Sequence, residues 1–361
     1  METLKTTPLN AWHKAHGARI VDFAGWEMPV QYAGIIAEHQ HTRQKTSIFD
    51  ICHMGEFYLR GRGAAKSLGR IVTHDLDTLQ PGKCRYGFML NEQGGMLDDL
   101  IVYCLAQDEY MLVVNGACEQ SDFDWIKNRL PSGLSLENAS ARVAKIDVQG
   151  PESIQALEAL LGGSWKHLKY FSFERVSHAG SSMLVSRTGY TGELGYELYL
   201  DVDKALGVWE KLASMEGVKP SGLGARDTLR LEMGYPLYGQ DLDTAHTPVE
   251  AGYGFLMNSP ADYIGKGKLD TVREKLIPLV IPGRRSARHG DAVTLRDGKP
   301  AGVVTSGSFG PSLGFCVALA YVAAEAAENR DFLVQAQRSE LCATRSELPF
   351  YKDGTARMKL A

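Results

Sequence analysis

Two adjacent carboxylates, Asp98 and Asp99, stand in the stretch "GGMLDDLIVYCL", residues 94–105, between a glycine turn and an apolar run. Val, Ile and Tyr favour a β-strand, in which successive side chains point to opposite faces. The two acids are therefore expected to diverge, and both faces of this strand are otherwise apolar. An acid that points inward needs a hydrogen-bonding partner or a ligand. The alternative is that both acids cap backbone amides of the turn, as Asp commonly does.

A second candidate segment is "RTGYTGELGYE", residues 187–197, which sets Glu193 and Glu197 among three glycines and two tyrosines. Glycines allow a backbone to approach a flat ligand closely. An inward-facing glutamate can accept paired N–H donors from the amidine-like edge of a heterocycle. The same composition also fits a glycine-rich hairpin connection with exposed acids, so both interpretations remain open at this point.

A third candidate segment is "GLGARDTLRLEMG", residues 222–234, which carries two arginines and two acids. The four charged residues are Arg226, Asp227, Arg230 and Glu232. They can form either an anion clamp or a network of ion pairs on a helix surface, where such pairs contribute little. The segment contains G-x-G, but the chain has neither a full G-x-G-x-x-G nor G-x-x-x-x-G-K-[ST] in the strand context that those motifs require. A nucleotide-binding site is therefore not predicted.

The composition restricts the class of protein. With 361 residues, of which 44% are hydrophobic and 23% charged, the chain is long enough for two or three globular domains. A formal charge of −4 gives no reason to expect nucleic acid or an anionic membrane surface as a partner. The six cysteines show no C-x-x-C and the ten histidines no zinc-binding spacing, so we expect buried free thiols and no metal. No apolar stretch is long enough to span a bilayer, and the sequence shows the features of neither a signal peptide nor a transit peptide. We therefore expect a cytoplasmic protein.

The order of elements predicts an α+β fold. Strand-to-helix steps follow Gly61 and Gly150, and these two steps form a weak internal repeat at an offset of 89 residues. The runs "LIVYCL" and "EYMLVVNGA" predict a hairpin around Ala106–Asp108. After about residue 275, short strands separated by Gly, Pro and Asp-Gly turns predict a small all-β barrel or sandwich. Chance similarity of common strand-to-helix steps is the alternative explanation of the repeat.

Segments along most of the chain together resemble the aminomethyltransferase family, the T-protein of the glycine cleavage system. The segments that carry the resemblance, between about residue 7 and residue 351, include "FDICHMGEFYLRG", "GGMLDDLIVY", "VVNGAC", "RTGYTGELGYE", "GLGARDTLRLEMGYPLYGQDLD" and "GVVTSGSFGPSLG". The resemblance implies a three-domain cloverleaf, in which ferredoxin-like subdomains and a C-terminal β-barrel surround a central folate funnel. The expected domains are residues 1–272, a folate-binding region of two interleaved α+β subdomains, and residues 273–361, the barrel.

The resemblance also implies a reaction. A member of this family accepts an aminomethyl group held on the lipoyl arm of the carrier H-protein. It moves the one-carbon unit to tetrahydrofolate, giving 5,10-methylenetetrahydrofolate, ammonia and the dihydrolipoyl carrier. The expected cofactor is therefore tetrahydrofolate, and the expected partner is lipoylated H-protein.

Individual residues take their expected roles from the resemblance. Asp99 resembles the catalytic carboxylate, which can stabilise the positive charge left on the transferred carbon when ammonia departs and can manage the folate proton. Glu197 resembles the acid that holds the amino-pyrimidine edge of the pterin, and Arg226 the folate-binding arginine. The other expected residues of the folate site are Tyr86, Asn115, Tyr170, Tyr190 and Phe255, of which Phe255 stands where the family often has Trp.

Two other functions fit parts of the same pattern. A folate-dependent demethylase of a small methylated sulfonium or amine would share the pterin pocket and need no carrier protein. A folate-binding helper of iron–sulfur assembly would carry a cysteine in a "KGCYxGQE"-like signature, whereas this chain has "DYIGKGKL" at residues 262–269. A contact of Lys352 or Arg357 with folate is also considered, although the resemblance ends near Tyr351.

Overall fold

A computed structural model describes residues 3–178, 180–337 and 339–360 of the chain. The described strands form a small three-stranded sheet, a five-stranded sheet, a six-stranded sheet and a closed barrel. Helices pack on the sheets, and the two larger sheets have separate apolar cores. The α+β class and the C-terminal barrel that the sequence predicts are both present.

The N-terminal segment forms the three-stranded sheet and contributes one strand to a larger sheet. The small sheet has the order β1-β3-β2. Its elements and those that follow are β1 (Lys5–Thr6), α1 (Asn10–Ala15), β2 (Arg19–Phe23), β3 (Trp26–Gln31), α2 (Ile35–Gln44) and β4 (Thr46–Asp50). Strand β4 is buried along its whole length, because it lies inside the six-stranded sheet.

The first large module is a five-stranded antiparallel sheet with the order β6-β7-β8-β5-β9. Its elements are β5 (Gly55–Arg60), α3 (Ala64–Leu68), β6 (Lys83–Leu90), β7 (Met96–Ala106), β8 (Glu109–Val114), α4 (Glu119–Lys127) and β9 (Ser135–Asn138). The predicted hairpin is confirmed, since β7 and β8 are joined by two residues, of which Asp108 has φ of +58°. Asp tolerates this left-handed backbone conformation better than most residues.

The second large module is a six-stranded sheet with the order β11-β12-β13-β10-β4-β14. Its remaining elements are β10 (Val143–Gln149), α5 (Ser153–Leu161), β11 (Phe173–His178), β12 (Ser181–Ser186), β13 (Gly195–Asp201), α6 (Ala205–Ala213) and β14 (Val218–Pro220). Strand β4 pairs antiparallel with β10 and parallel with β14. It therefore separates two strands that would be neighbours in a simple ferredoxin-like sheet.

Apart from β4, the two modules have the same topology. Each starts with a strand that enters a helix, continues with three strands and ends with a helix and an edge strand. Gly61 and Gly150 occupy the same place after the first strand, with φ of +128° and +133°. A side chain at Gly150 would come within 1.9 Å of the Lys45 carbonyl oxygen. The weak repeat in the sequence therefore reflects a repeated topology, and both copies need glycine at this position.

The last part of the chain contains a helix, a long connection and the barrel. These elements are α7 (Leu223–Glu232), β15 (Glu274–Ile281), β16 (Ala292–Thr294), β17 (Pro300–Phe309), β18 (Cys316–Ala323), β19 (Asp331–Ala336) and β20 (Ser339–Arg345). The barrel order is β15-β18-β17-β16-β19-β20, and pairing of β15 with β20 closes it. The division of the chain at residues 272 and 273 stays a prediction, which agrees with the start of β15.

Buried ion pairs join α7 to its neighbours. Arg230 is 1% exposed and donates hydrogen bonds to Asp227, Asp241 and Ser306, the last of these in barrel strand β17. Glu232 is fully buried and accepts a hydrogen bond from Arg43 of α2 at 2.9 Å. Arg230 and Glu232 therefore form neither an anion clamp nor a surface network, because both are buried and, apart from the exposed Asp227, the partners named here lie inside the protein.

Five of the six cysteines are buried free thiols, as expected, whereas Cys342 is exposed. Among the described residues, none of the helices has the length and the apolar character needed to span a membrane.

Candidate functional site

The adjacent acids of β7 point to opposite faces, as strand alternation requires. Asp98 is fully buried, while Asp99 is partly exposed. Asp98 accepts hydrogen bonds from the backbone N–H and the side-chain amide of Asn115, at 2.9 and 2.8 Å. Asn115 follows β8 directly, so Asp98 caps a distant turn and does not cap the glycine turn next to it. The interpretation that both acids cap their own turn is therefore wrong for Asp98.

Asp99 is held by two donors from neighbouring strands. The Tyr86 hydroxyl of β6 donates to Asp99 Oδ2 at 2.9 Å, and the Asn115 amide donates to Asp99 Oδ1 at 3.0 Å. Burial and the neighbouring Asp98 charge raise the pKa of Asp99 to about 7. Asp99 is consequently a fixed carboxyl group that can gain or lose a proton near neutral pH, as a general acid–base requires.

Aromatic rings extend outward from Asp99. The ring centroids of Tyr86 and Tyr253 are 6.0 Å apart, and those of Tyr253 and Phe255 are 5.9 Å apart. Phe255 is 71% exposed. Phe255 therefore lies at the outer end of a row of aromatic side chains whose inner end is hydrogen-bonded to Asp99.

Glu197 of β13 lies in a separate polar cluster. Its Oε2 accepts hydrogen bonds from the hydroxyls of Thr188 and Tyr199, both at 2.9 Å, and lies 3.5 Å from Lys145 Nζ. Tyr103 of β7 donates to the same oxygen at 3.3 Å. Burial opposes ionisation, but Lys145 and these hydroxyls hold the pKa of Glu197 below its usual value. Glu197 is thus a charged carboxylate, and all its hydrogen bonds within the described parts of the chain go to Oε2, so Oε1 is left for a ligand.

Arg226 of α7 lies next to this cluster. It donates a hydrogen bond to Asp147 of β10, the residue directly opposite Glu197 in the sheet. Its guanidinium carbon is 4.9 Å from the ring centroid of Tyr190. Burial raises the pKa of Asp147 to about 6, although Arg226 opposes this shift. The Arg226 side chain is 14% exposed and Asp147 is fully buried. Arg226 therefore forms an ion pair with a buried acid and still has an exposed part that a ligand can reach.

Tyr190 connects the two clusters. Its hydroxyl donates to the Pro236 carbonyl oxygen, and its ring stacks on Tyr235 with centroids 5.9 Å apart. Burial raises the pKa of Tyr190, and the charge of Asp99 acts in the same direction while Arg226 opposes it. Tyr190 is therefore in direct contact with Arg226 and is close enough to Asp99 to be affected by its charge.

The loop that carries Tyr190 is shaped by Gln149 of β10. A Cβ at Gly189 or Gly195 would lie 2.1 or 2.2 Å from Gln149 Oε1, so both glycines are needed for this packing. Gln149 Oε1 also accepts a hydrogen bond from Thr191 at 2.9 Å. The glycines of this loop therefore admit a buried side chain, and close approach to a ligand is not required to explain them.

Glu193 of the same loop has a structural role. It accepts a hydrogen bond from Arg43 at 2.8 Å and is bonded to Thr355 of the C-terminal tail. Ala356 N–H donates to the Gly192 carbonyl oxygen at 3.0 Å. The tail is thereby fastened along the loop, and Glu193 is not an exposed acid.

This fastening brings the tail to Tyr170. The guanidinium carbon of Arg357 is 5.8 Å from the centroid of the Tyr170 ring. Arg357 therefore lies at the edge of the aromatic cluster formed by Tyr170 and Tyr235, whereas Lys352 is exposed. Among the predicted residues, Asp99, Tyr86 and Asn115 are directly bonded, Arg226 contacts Tyr190, and Arg226 also bonds Asp147, which lies opposite Glu197 in the sheet.

Several residues of the site were not predicted from the sequence. They are Tyr103, Lys145, Asp147, Thr188 and Tyr199, which surround Glu197 or Arg226. A signal was available for two of them, because Lys145 and Asp147 share one face of β10. Two charged residues on a face buried inside a sheet indicate a polar site.

One group of described residues has a geometry that could hold a metal ion. Single ligand atoms of Asp98, Cys118 and Asp122 lie within 4.8 Å of one another. Both oxygens of Asp98 already accept hydrogen bonds from Asn115. The prediction that the protein needs no metal stays a prediction.

Comparisons with known proteins agree with the resemblance. A family model of the GCVT N-terminal domain matches residues 9–259, and one of the glycine cleavage T-protein C-terminal barrel domain matches residues 274–352. An aminomethyltransferase of Halothermothrix orenii is 44% identical over 88% of this chain and 92% of its own length. One of Synechococcus elongatus is 41% identical over 97% of each protein.

A solved structure gives the same result. The crystal structure of glycine cleavage system aminomethyltransferase T from Bartonella henselae has a TM-score of 0.91 and 31% sequence identity, covering 98% of this chain and 99% of that one. The fold is therefore that of a one-carbon transferase. The chain belongs to the glycine cleavage T-protein family, the aminomethyltransferases. The predicted family, fold class and enzyme class are confirmed.

Proposed function

We propose that this chain moves a one-carbon unit from the aminomethyl-lipoyl arm of H-protein to tetrahydrofolate, with release of ammonia. The observation that best supports this proposal is that two buried carboxyl groups, Asp99 and Glu197, have pKa values shifted in opposite directions. The pKa of Asp99 is raised to about 7, whereas Lys145 and neighbouring hydroxyls hold the pKa of the buried Glu197 below its usual value. One carboxyl can take part in proton transfer while the other anchors a cationic or N–H-rich ligand.

The residues present fit a reduced folate. Glu197 has one carboxylate oxygen without a protein donor in the part of the chain described, which suits the adjacent N–H groups of the amino-pyrimidine edge of a pterin. Tyr190 offers a ring face and Arg226 a cation on the same side. We propose that Tyr86, Asn115, Tyr170 and Phe255 line the rest of the site.

The anionic end of folate needs a cation near the opening of the site. We propose that Arg357 supplies it, because the contact with Tyr170 brings this tail residue to the edge of the aromatic cluster. Lys352 is exposed, as Arg357 is, but among the described residues it makes no hydrogen bond, ion pair or contact with an aromatic ring, so it is not included in the proposed site.

Tetrahydrofolate supplies the amine that accepts the one-carbon unit. As the amino group leaves the lipoyl-bound carbon, positive charge develops there, and the fixed carboxylate of Asp99 stabilises it without reorganisation. The pKa near 7 also allows Asp99 to hold or release a proton during transfer. Tyr86 and Asn115 keep the carboxylate in place throughout, since each donates to a different oxygen.

The wider setting follows from the same proposal. Lipoylated H-protein is the proposed partner, because the reaction needs its aminomethyl-lipoyl arm. We propose a cytoplasmic enzyme that uses neither nucleic acid nor a membrane, with a folate-binding region at residues 1–272 and a barrel at residues 273–361.

The direct test is incubation of the protein with tetrahydrofolate and aminomethylated H-protein. We expect ammonia and 5,10-methylenetetrahydrofolate to form in equal amounts, well above the rate without enzyme. A rate equal to the enzyme-free control would contradict the proposal. Demethylation of a small sulfonium or amine in the absence of H-protein would support the demethylase alternative instead.

A further inference from the structure

A buried cluster joins β7 to helix α4. It consists of Asp98, Asp122 of α4 and Cys118, whose closest ligand atoms are within 4.8 Å of one another. Asp98 is fully buried and Asp122 is 2% exposed. None of the roles proposed above uses Asp122.

If both acids of this cluster were ionised, a buried carboxylate oxygen would have no hydrogen-bond donor among the described residues. Asp98 accepts two bonds from Asn115, but Asp122 Oδ2 is buried and has no hydrogen-bond partner among the described residues. Within the same residues, no ion pair reaches Asp98, Asp99 or Asp122. Adjacent buried carboxylates without a cation hold a shared proton, because like charges this close cannot both persist.

The electrostatics indicate which acid carries the proton. Burial and the charge of Asp98 raise the pKa of Asp122 to about 11. Burial also raises the pKa of Asp98, whereas hydrogen bonds from Asp122 and Asn115 oppose that shift. The geometry agrees: Asp98 accepts both hydrogen bonds from Asn115, whereas Asp122 Oδ2 has no partner among the described residues, so the proton is assigned to Asp122, which donates to a charged Asp98.

A continuous set of contacts leads from this cluster to Asp99. The amide of Asn115 donates to Asp98 Oδ1 at 2.8 Å and to Asp99 Oδ1 at 3.0 Å. The backbone N–H of Asn115 is fixed by Asp98 Oδ2 at 2.9 Å. The orientation of Asp99 thus depends on the position and the charge of Asp98.

We propose that Asp122 is a positioning residue for the transfer reaction: its carboxyl proton holds Asp98, Asp98 holds Asn115, and Asn115 orients Asp99. This inference rests on the proposed role of Asp99 as the reacting carboxylate. Asp122 itself touches neither substrate nor folate, and acts only through the side chains between it and Asp99.

The sign of the expected pH effect follows from the groups that face these acids. Tyr86, Tyr190 and Tyr253 face Asp99, and they are neutral hydroxyls at neutral pH. The Cys118 thiol and Tyr238 face Asp98 and Asp122, and both are neutral as well. If Asp122 can no longer donate, Asp98 loses a hydrogen bond that favours its charged form, so the pKa of Asp98 rises further. Asp99 then faces less negative charge, so its pKa falls and its active carboxylate persists to lower pH.

The test compares two substitutions of one residue. Asp122→Asn keeps a hydrogen-bond donor, whereas Asp122→Leu keeps the branching at Cγ in a larger side chain and has no donor. Transfer from aminomethylated H-protein is measured against pH. For Asp122→Leu we expect kcat to fall about tenfold at its optimum, with KM for tetrahydrofolate little changed, and the acid limb to move lower by about one pH unit. Asp122→Asn should keep the wild-type acid limb and most of the rate.

Asp124→Asn is the matched control, because Asp124 is exposed on the same helix and its carboxylate, among the described residues, accepts a hydrogen bond from Gln120 alone. A folded Asp122→Leu variant with the wild-type pH profile would overturn the proposal. An equal loss of rate in the Asn and Leu variants, with no movement of the acid limb, would also overturn it and leave a purely structural role.

An infrared measurement does not depend on the Leu variant folding. At about pH 9, between the pKa of Asp99 and that of Asp122, the wild-type spectrum minus the Asp122→Asn spectrum should contain the band of a protonated carboxyl group. The buried acid Glu56 contributes equally to both spectra and cancels. No such band would overturn the shared proton. An inactive wild-type protein would contradict the proposed function instead, and the infrared band would still decide the protonation of Asp122.

Discussion

Asp99 and Glu197 are both buried carboxyl groups, yet their surroundings shift their pKa values in opposite directions. Burial and the neighbouring charge of Asp98 raise the pKa of Asp99 to about 7, and none of the described residues forms an ion pair with it. Glu197 has Lys145 and three hydroxyls, so it stays ionised despite its burial. The chemical type of the residue is the same, and the neighbours decide whether it can exchange a proton.

We expect Asp99→Asn to lower the transfer rate by roughly 10²–10⁴-fold, because the charge-stabilising carboxylate is lost. Folate affinity should remain within about threefold, since Asn is nearly isosteric and accepts hydrogen bonds through its oxygen. In the wild-type enzyme the rate should fall as the pH drops through about 7, where Asp99 becomes protonated. The measurement is the single-turnover rate against pH, together with a folate titration.

Asp77→Asn is a suitable control for this substitution, because Asp77 is exposed. Its rate and pH profile should match those of the wild type. A fully active Asp99→Asn enzyme would remove Asp99 from the proposed mechanism.

Glu197→Gln should weaken tetrahydrofolate binding about ten- to a hundredfold, since one charge-assisted contact is lost, which is roughly 1.5–3 kcal/mol. The substitution also leaves Lys145 buried without its counter-ion. Calorimetric titration with tetrahydrofolate measures the change, and Glu210→Gln on the exposed face of α6 is the control. Unchanged affinity in a folded Glu197→Gln variant would show that the carboxylate does not contact the ligand.

The local sequence was enough to predict the candidate acids of the site, but not the side chains that form hydrogen bonds with them. Alternation along the strand indicates that Asp98 and Asp99 diverge. It does not indicate that Tyr86 bonds Asp99 or that Asn115 bonds both acids, since these donors come from other parts of the sheet. Tyr103 reaches Glu197 across 94 residues of sequence. Pairings of this kind depend on the register of the assembled sheets, and no short-range pattern encodes them.

At the scale of elements, both modules have a glycine with positive φ after their first strand. The atoms that surround these two glycines differ. At Gly61 the nearest atom to an added Cβ is a Leu134 methyl at 2.9 Å, whereas at Gly150 it is a backbone oxygen of Lys45 at 1.9 Å. A methyl group can move aside more easily than a backbone carbonyl.

We therefore expect Gly150→Ala to destabilise the fold by more than about 2 kcal/mol, and by more than Gly61→Ala. The measurement is chemical denaturation of the purified variants. Gly207→Ala in α6 is the control, because its Cβ would meet no atom within 4 Å. That substitution should stabilise the helix by roughly 0.5–1 kcal/mol. Equal stability of Gly150→Ala and the wild type would contradict the close approach to Lys45.

The elements were easier to predict than their arrangement. The hairpin around Asp108, the strand-to-helix steps after Gly61 and Gly150, and the all-β C-terminal region follow from alternation and turn residues. The insertion of β4 between β10 and β14 does not, because it is a pairing between strands that are distant in sequence. The charged residues of α7 indicated a surface network, and the structure buries Arg230 and Glu232 because the barrel and α2 pack over them.

At the scale of the whole molecule, Arg230 joins α7 to the connection before the barrel and to the barrel itself. Its guanidinium lies 2.7 Å from Asp241 Oδ2 and 2.8 Å from Ser306 Oγ. Asp241 is fully buried and also accepts a hydrogen bond from Thr305 of β17 at 2.5 Å. The contact between the barrel and the rest of the protein thus depends on a paired internal charge.

Arg230→Met should destabilise the protein by about 3–5 kcal/mol, because it leaves Asp241 buried without its cation. The double variant Arg230→Met/Asp241→Asn should recover part of that loss, since no unpaired charge remains. Thermal and chemical denaturation measure both effects. The control is Arg296→Met, whose ion pair with Asp331 is largely exposed and contributes little. A loss from Arg230→Met no larger than that of the control would contradict this role.

Strand β4 leaves the ribosome before the first large module, but both strands that pair with it are synthesised after that module. During translation, the backbone N–H and C=O groups of Thr46–Asp50 therefore have no strand to pair with while the five-stranded sheet is synthesised and folds. At roughly 5–20 residues per second, this interval lasts several seconds. For that time the nascent chain exposes an unpaired strand together with the side chains of Ile48 and Phe49, which is the kind of segment that chaperones bind and that promotes aggregation when they are absent.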